Sequence, residues 1–200
     1  MTLSKKITGR CAWASSHVLL QEYHDTEWGV PSYDDRYLFE MLTLEGAQAG
    51  LSWLIILQRR KAYQKAFHDF SIADCANMTD NELEKILQKK EVIANRRKVY
   101  AVRTNARAIQ NIQHQYGSFA AYLWQYTKGN VQCAHWPTDA DVPTKSPLSE
   151  QISMDLKKQG FQFVGPVIMY SFLQAIGIIN DHIETCFKSQ INAKCLPKKY

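Results

Sequence analysis

At 200 residues, 46% hydrophobic and 22% charged, the chain has the size and composition of one globular domain, or of two closely packed lobes, with its own core. Met1-Thr2-Leu3-Ser4-Lys5-Lys6 has no apolar run behind its lysines, and the longest apolar stretch, Val164 to Ile179, is broken by Gly165, Pro166, Ser171, Gln174 and Gly177; neither a secretion signal nor a membrane span is expected. A net charge of +5 is compatible with a polyanionic partner without demonstrating one, and five scattered cysteines suit a reducing, cytoplasmic setting better than a disulfide framework.

In chain order, Pro31-Ser32-Tyr33-Asp34-Asp35 is a turn that opens a helix reaching Leu44 and beyond. Ser52 to Phe67 is a second helix. Thr79 and Glu82 have capping-box spacing and open a third, ending near Lys90. Arg96 to His114 carries Val99, Val102, Ala106 and Ile109 on one face. Phe119 to Tyr126 is short and aromatic, and Gly129 to Lys145, with Pro137 and Pro143, reads as a loop. Ser146-Pro147 starts another helix that Gly160 ends. Pro166 to Ile176 is apolar nearly all round, which predicts a buried central helix stopped by Gly177. No segment alternates as a strand does, so the expected class is all-α.

One carboxylate stands out. Glu45 lies in Leu44-Glu45-Gly46-Ala47-Gln48-Ala49-Gly50-Leu51-Ser52-Trp53, a stretch with no other charge. Leu38 and Leu42 are four apart, and Glu45 and Ala49 continue their stripe, so the carboxylate is expected on a buried face. A buried carboxylate needs a partner or takes up a proton. It is either a satisfied core or helix-end glutamate, or a group awaiting a ligand with positive charge or hydrogen-bond donors.

His182 and Cys186 are four apart, which places both side chains on one face of a helical turn. Imidazole and thiolate are ligands that zinc favours, and a closed structural site needs four. Cys11 and His24 are a plausible second pair and would staple the two ends of the chain together; Cys133 with His135 is the rival pair. The alternative is that Cys11 and Cys186 are small core residues and the histidines incidental.

Glu91-Val92-Ile93-Ala94-Asn95-Arg96-Arg97-Lys98 puts three cations after a short apolar turn between two helices. Such a hairpin can grip a phosphate with the backbone N–H groups opening its second helix. Arg59-Arg60-Lys61 and the pair Arg103 and Arg107 are further cationic clusters, each also readable as a solvated face. Gly50-Leu51 is an ordinary turn or an apolar tip able to wedge into a base stack.

Across these segments the chain resembles the 3-methyladenine DNA glycosylase I family. The resemblance rests on Cys11-Ala12-Trp13, on Tyr23-His24-Asp25-Thr26-Glu27-Trp28-Gly29-Val30-Pro31, and on Phe39-Glu40-Met41-Leu42 through Trp53. It continues with Asn105-Ala106-Arg107-Ala108, Gly160-Phe161-Gln162-Phe163-Val164-Gly165-Pro166, Tyr170-Ser171-Phe172, Gln174 and Asn180-Asp181-His182. It runs in one order from about Arg10 to Cys186.

The resemblance implies an all-α helix-hairpin-helix DNA repair enzyme. A lobe from about 1–35 plus 165–200 would bind one structural zinc through Cys11, His24, His182 and Cys186, and a lobe of about 36–164 would carry the hairpin. It also implies hydrolysis of the N-glycosidic bond of 3-methyladenine in double-stranded DNA, by a monomer. Glu45 and Tyr23 would recognise the flipped base, Trp53 would stack on it, and Trp13 and Trp28 would line the pocket. Gly50 and Leu51, with Arg96, Arg97 and Lys98, would meet the DNA. Glu45 is the catalytic candidate, expected to act through recognition and electrostatics more than as a base that deprotonates water. Two departures stand out: Leu20 where many members carry tyrosine, and Glu91 and Arg97 where some carry hairpin glycines. A non-catalytic damage sensor on the same scaffold, or a zinc-stapled interaction module, would not need Tyr23, Glu45 and Trp53 together.

Overall fold

The structure, a computed structural model, describes residues 9–189 and the backbone of 196–197. Among the described residues nine α-helices follow one another: α1 (Val18–Thr26), α2 (Asp35–Gln48), α3 (Trp53–Ala66), α4 (Ile72–Asn77), α5 (Asp80–Lys89), α6 (Arg96–Tyr116), α7 (Phe119–Trp124), α8 (Pro147–Lys158) and α9 (Pro166–Ala175). Local chemistry sets most of the starts. Asp34, Ser52, Asn95 and Ser146 accept N-capping bonds, Thr79 and Glu82 form the expected capping box, and Pro147 and Pro166 open α8 and α9. None of these helices is long and apolar enough to cross a membrane.

The segments without a sequence expectation are α1, with a 3-10 turn before it at Ala12–Ser16, and α4. α1 is capped by His17, outside the usual capping residues, and α4 spans six residues, too few for periodicity to register. The loop near 129–145 contains a two-residue strand β1 (Gln132–Cys133). It pairs in parallel with β2 (Ile179–Asn180) and β3 (Leu196–Pro197). Strands this short carry no alternation, and the class remains all-α.

α2 is the buried axis. Every residue from Leu38 to Ala47 is buried, and α3, α6, α7 and α9 pack around it. Its N-terminal Asp35 accepts bonds from Phe119 N, Ala120 N and Gln113 Nε2 at 2.7–2.8 Å, tying α2 to α6 and α7. The stripe expected to continue to Ala49 stops short, because the helix ends at Gln48 and Ala49 is exposed. α9 is buried from Met169 onward except at Ser171, and its first turn reaches the surface, with Val167 51% exposed. That turn forms the rim of a cleft, so apolar composition all round overstated its burial.

Several cations are structural rather than free. Arg60 bridges Glu27 and Glu40 at 2.7 and 2.8 Å. Arg59 donates to the carbonyls of Lys90 and Glu91, while Arg103 and Arg107 donate to those of Met78 and Ala76, ending α5 and α4 respectively. Helix C-termini leave carbonyls without intrahelical partners, and guanidinium groups satisfy them.

Candidate functional site

Cys11, His24, His182 and Cys186 converge at complete burial, with one ligand atom from each lying within 4.8 Å of the others. Cys11 precedes the first 3-10 turn and His24 lies in α1. His182 and Cys186 follow β2 in a tight turn, not on the helix their spacing suggests. The bond from Cys186 N to Ile183 O, 2.8 Å, folds this turn back and still brings the pair together. Cys186 Sγ stands 3.5 Å from His24 Nε2 and from His182 Nδ1, and Cys11 Sγ 3.7 Å from His182 Nδ1. Two ligands bound at roughly 2.1 and 2.3 Å in a tetrahedron stand about 3.6 Å apart, so these three separations fit a metal ion.

The outer contacts fit as well. His24 Nδ1 is 2.8 Å from Asp25, which Arg10 holds through two nitrogens at 2.7–2.9 Å. His182 Nε2 faces the Trp28 carbonyl at 3.3 Å. Each imidazole is thereby oriented with its other nitrogen toward the cluster. Gly29 is required here, since a Cβ would lie 2.9 Å from His182 Nε2. The Cys186 thiol is pushed down and the Cys11 thiol up, chiefly by the hydrogen bond between them, with the two histidines assisting Cys186. A metal would replace that shared proton. Among the described residues the rival pair, Cys133 with His135, takes no part in this cluster.

Beside this cluster lies a pocket of about 260 Å³, lined by Trp13, Tyr23, Trp28, Glu45, Gln48, Trp53, Ser171 and Gln174. All five residues singled out in the sequence for a ligand pocket are in its wall. Trp13 packs edge-on to Trp28 at 5.1 Å, and Tyr23 tilts against Trp53 at 5.2 Å. Trp28 also stands edge-on to His182 at 4.5 Å, and Trp13 to His24 at 5.5 Å. The donor cluster therefore buttresses the pocket.

Glu45 closes the pocket from the last turn of α2. It is 6% exposed and, among the described residues, has no hydrogen-bond or salt-bridge partner. Burial alone pushes its pKa up to about 8. The Tyr23 hydroxyl and the Trp53 indole nitrogen are buried and also lack partners. Burial, followed by the nearby Glu45 charge, holds Tyr23 well above the ordinary tyrosine range, so it remains a phenol. An unpaired acceptor and two unpaired donors around one aromatic cavity describe a site shaped for a flat ligand with polar edges.

Chain direction changes at Gly50, where φ is +84°. Leu51 follows, 38% exposed, and with Val167 and Ile168 it borders a second hollow that shares Glu45, Gln48 and Ser171 with the first. The turn between α5 and α6 presents Arg96 and Arg97. Arg96 also pairs with Glu84 and lies over Tyr100, and Arg97 lies over Phe163. Lys98 is turned inward, donating to the carbonyls of Ala47 at 2.8 Å and Ala49 at 2.9 Å. Gln48, Ser171 and Gln174 are pocket residues that sequence reasoning did not single out. Their only signal was membership of the matching segments.

A model of methyladenine glycosylases matches residues 13–189. The chain belongs to the methyladenine glycosylase family. It is 41% identical to DNA-3-methyladenine glycosylase 1 of Escherichia coli (strain K12) over 177 residues, 88% of this chain and 95% of that protein. Among solved structures it is similar to 3-methyladenine DNA glycosylase I of Staphylococcus aureus, described for its recognition of 3-methyladenine. The TM-score is 0.87 at 36% identity, covering 92% of this chain and 97% of that one. A tyrosine-to-phenylalanine variant of a 3-methyladenine DNA glycosylase I in complex with 3-methyladenine superposes with a TM-score of 0.88 at 35% identity, covering 91% and 98%.

Proposed function

We propose that this chain excises 3-methyladenine from double-stranded DNA, hydrolysing the N-glycosidic bond of the flipped base and leaving an abasic site in base-excision repair. The observation that carries the reading is Glu45, a buried carboxylate without a partner among the described residues, in an aromatic pocket. Methylation at N3 makes adenine a cation and weakens its glycosidic bond. The protein's task is then to extract the base and to discriminate it from adenine. A cation in the pocket favours the ionised carboxylate, and the face of Trp53 adds a cation–π attraction of about 0.5–2 kcal/mol. Neutral adenine brings no charge to offset ionisation of the buried carboxyl and forgoes that attraction, which disfavours it. The phenol of Tyr23 supplies a donor to the edge of the base.

In this reading Leu51, raised by the turn at Gly50, fills the stack vacated by the base. The α5–α6 unit acts as a helix-hairpin-helix, with Arg96 and Arg97 toward phosphates. Cys11, His24, His182 and Cys186 hold one zinc ion, which contributes folding energy and fixes the walls Trp13 and Trp28. The deciding experiment scores the bases released from alkylated duplex DNA by the wild-type protein and by Glu45→Gln. The wild type is expected to release 3-methyladenine, and the variant to do so about 10- to 100-fold more slowly. No release by the wild type overturns the reading; unchanged release by the variant removes Glu45 from it.

A further inference from the structure

The amine of Lys98 sits where two elements of the proposed DNA interface meet. Lys98 is the third residue of α6, directly after Arg96 and Arg97, so it belongs to the turn that faces phosphate in the reading above. Its Nζ does not extend outward. It donates to the carbonyls of Ala47 and Ala49, the residues flanking the last position of α2. Were α2 to continue, the Ala47 carbonyl would receive the N–H of Leu51. The chain instead breaks at Ala49, with φ −44° and ψ 111°, and reverses at Gly50; Leu51 N turns back to Gln48 O. The break orphans those carbonyls, and Lys98 supplies the donors and a positive charge at the helix C-terminus. Asn105, two turns further along the same face of α6, bonds both the N–H and the carbonyl of Gln162, so that face is anchored at a second point as well.

We propose that Lys98 is a positioning residue that fixes the Gly50–Leu51 tip against the hairpin, so that engagement of phosphate by the first turn of α6 sets the height and direction of the wedge. This rests on the glycosylase reading and reassigns Lys98 from phosphate contact to coupling between hairpin and wedge. The bond made is N–H to carbonyl, with no chemistry at the base; Lys98 acts only through the Gly50–Leu51 tip. Its effect is therefore confined to substrates whose lesion must be pulled out of a stacked, paired duplex.

Two measurements on Lys98→Met and one on Lys98→Arg test it, made well below the unfolding midpoint of each variant. The first compares single-turnover release of 3-methyladenine from a paired duplex with release from the same strand bearing the lesion opposite a gap, where extraction costs little. Release from the paired duplex is expected to fall about tenfold, and release opposite the gap to stay within about twofold. The second is the salt dependence of duplex binding, expected to keep the wild-type slope; a phosphate contact would lower it by about one. The third is Lys98→Arg, whose guanidinium can donate to both carbonyls and should recover most of the loss. An equal loss on both substrates, or a slope reduced by one, overturns the proposal. The wild-type protein's release of the base, measured alongside, tests the glycosylase reading separately.

Discussion

Glu45 carries opposite consequences for stability and for ligand capture. Its folded-state pKa of about 8 lies above the ordinary value of 4.5 because burial disfavours the charge. Between pH 4.5 and 8 the folded protein therefore holds a proton that the unfolded chain has lost. The stability associated with the protonated group is complete below pH 4.5 and is lost as pH rises through 8. Glu45→Gln should raise the unfolding midpoint by several degrees at pH 8.5, and the gain should shrink steadily toward pH 5, as read by thermal melts across that range. A gain independent of pH would mean that the carboxylate is not buried as a charge. Site residues of this kind are held against the preference of the fold, and ligand capture is what they serve.

At the scale of elements, end groups organise the packing. Arg59, Arg103, Arg107 and Lys98 all finish helices or the turns after them, and Asp35 joins the start of α2 to α6 and α7 through three bonds. Asp35→Ala orphans the Phe119 and Ala120 amides, and about 2 kcal/mol of stability should be lost in denaturant titration. Little change would show that α7 docks by its apolar face alone. Helix starts were readable because capping chemistry is local: Asp34, Ser52, Thr79, Asn95 and Ser146 each precede the helix they begin. The destinations of the arginines were not readable. The spacing of Arg103 and Arg107 describes a face of α6, while the carbonyls they meet lie near residues 76 and 78, brought alongside only by folding.

Across the whole molecule, the donor cluster and the pocket form one structure. Residues 11 and 24 meet residues 182 and 186, and the same imidazoles support Trp13 and Trp28. The purified protein is expected to hold about one zinc per chain by elemental analysis. Chelation should lower the unfolding midpoint and also weaken binding of 3-methyladenine, followed by tryptophan fluorescence, because the pocket walls lose their backing. Protein free of zinc with an unchanged midpoint and pocket would refute the staple.

The sequence by itself determined the all-α class, most helix starts, the family resemblance and the set of residues worth watching, because caps, periodicity and ordered motifs are local properties of the chain. Only the tertiary structure decided that Glu45 has no partner among the described residues, that Cys133 lies outside the donor cluster, and that Lys98 donates to the end of α2. Each of those facts depends on which distant segment comes to lie beside the residue. Spacing along the chain carries no information about that until the core has packed.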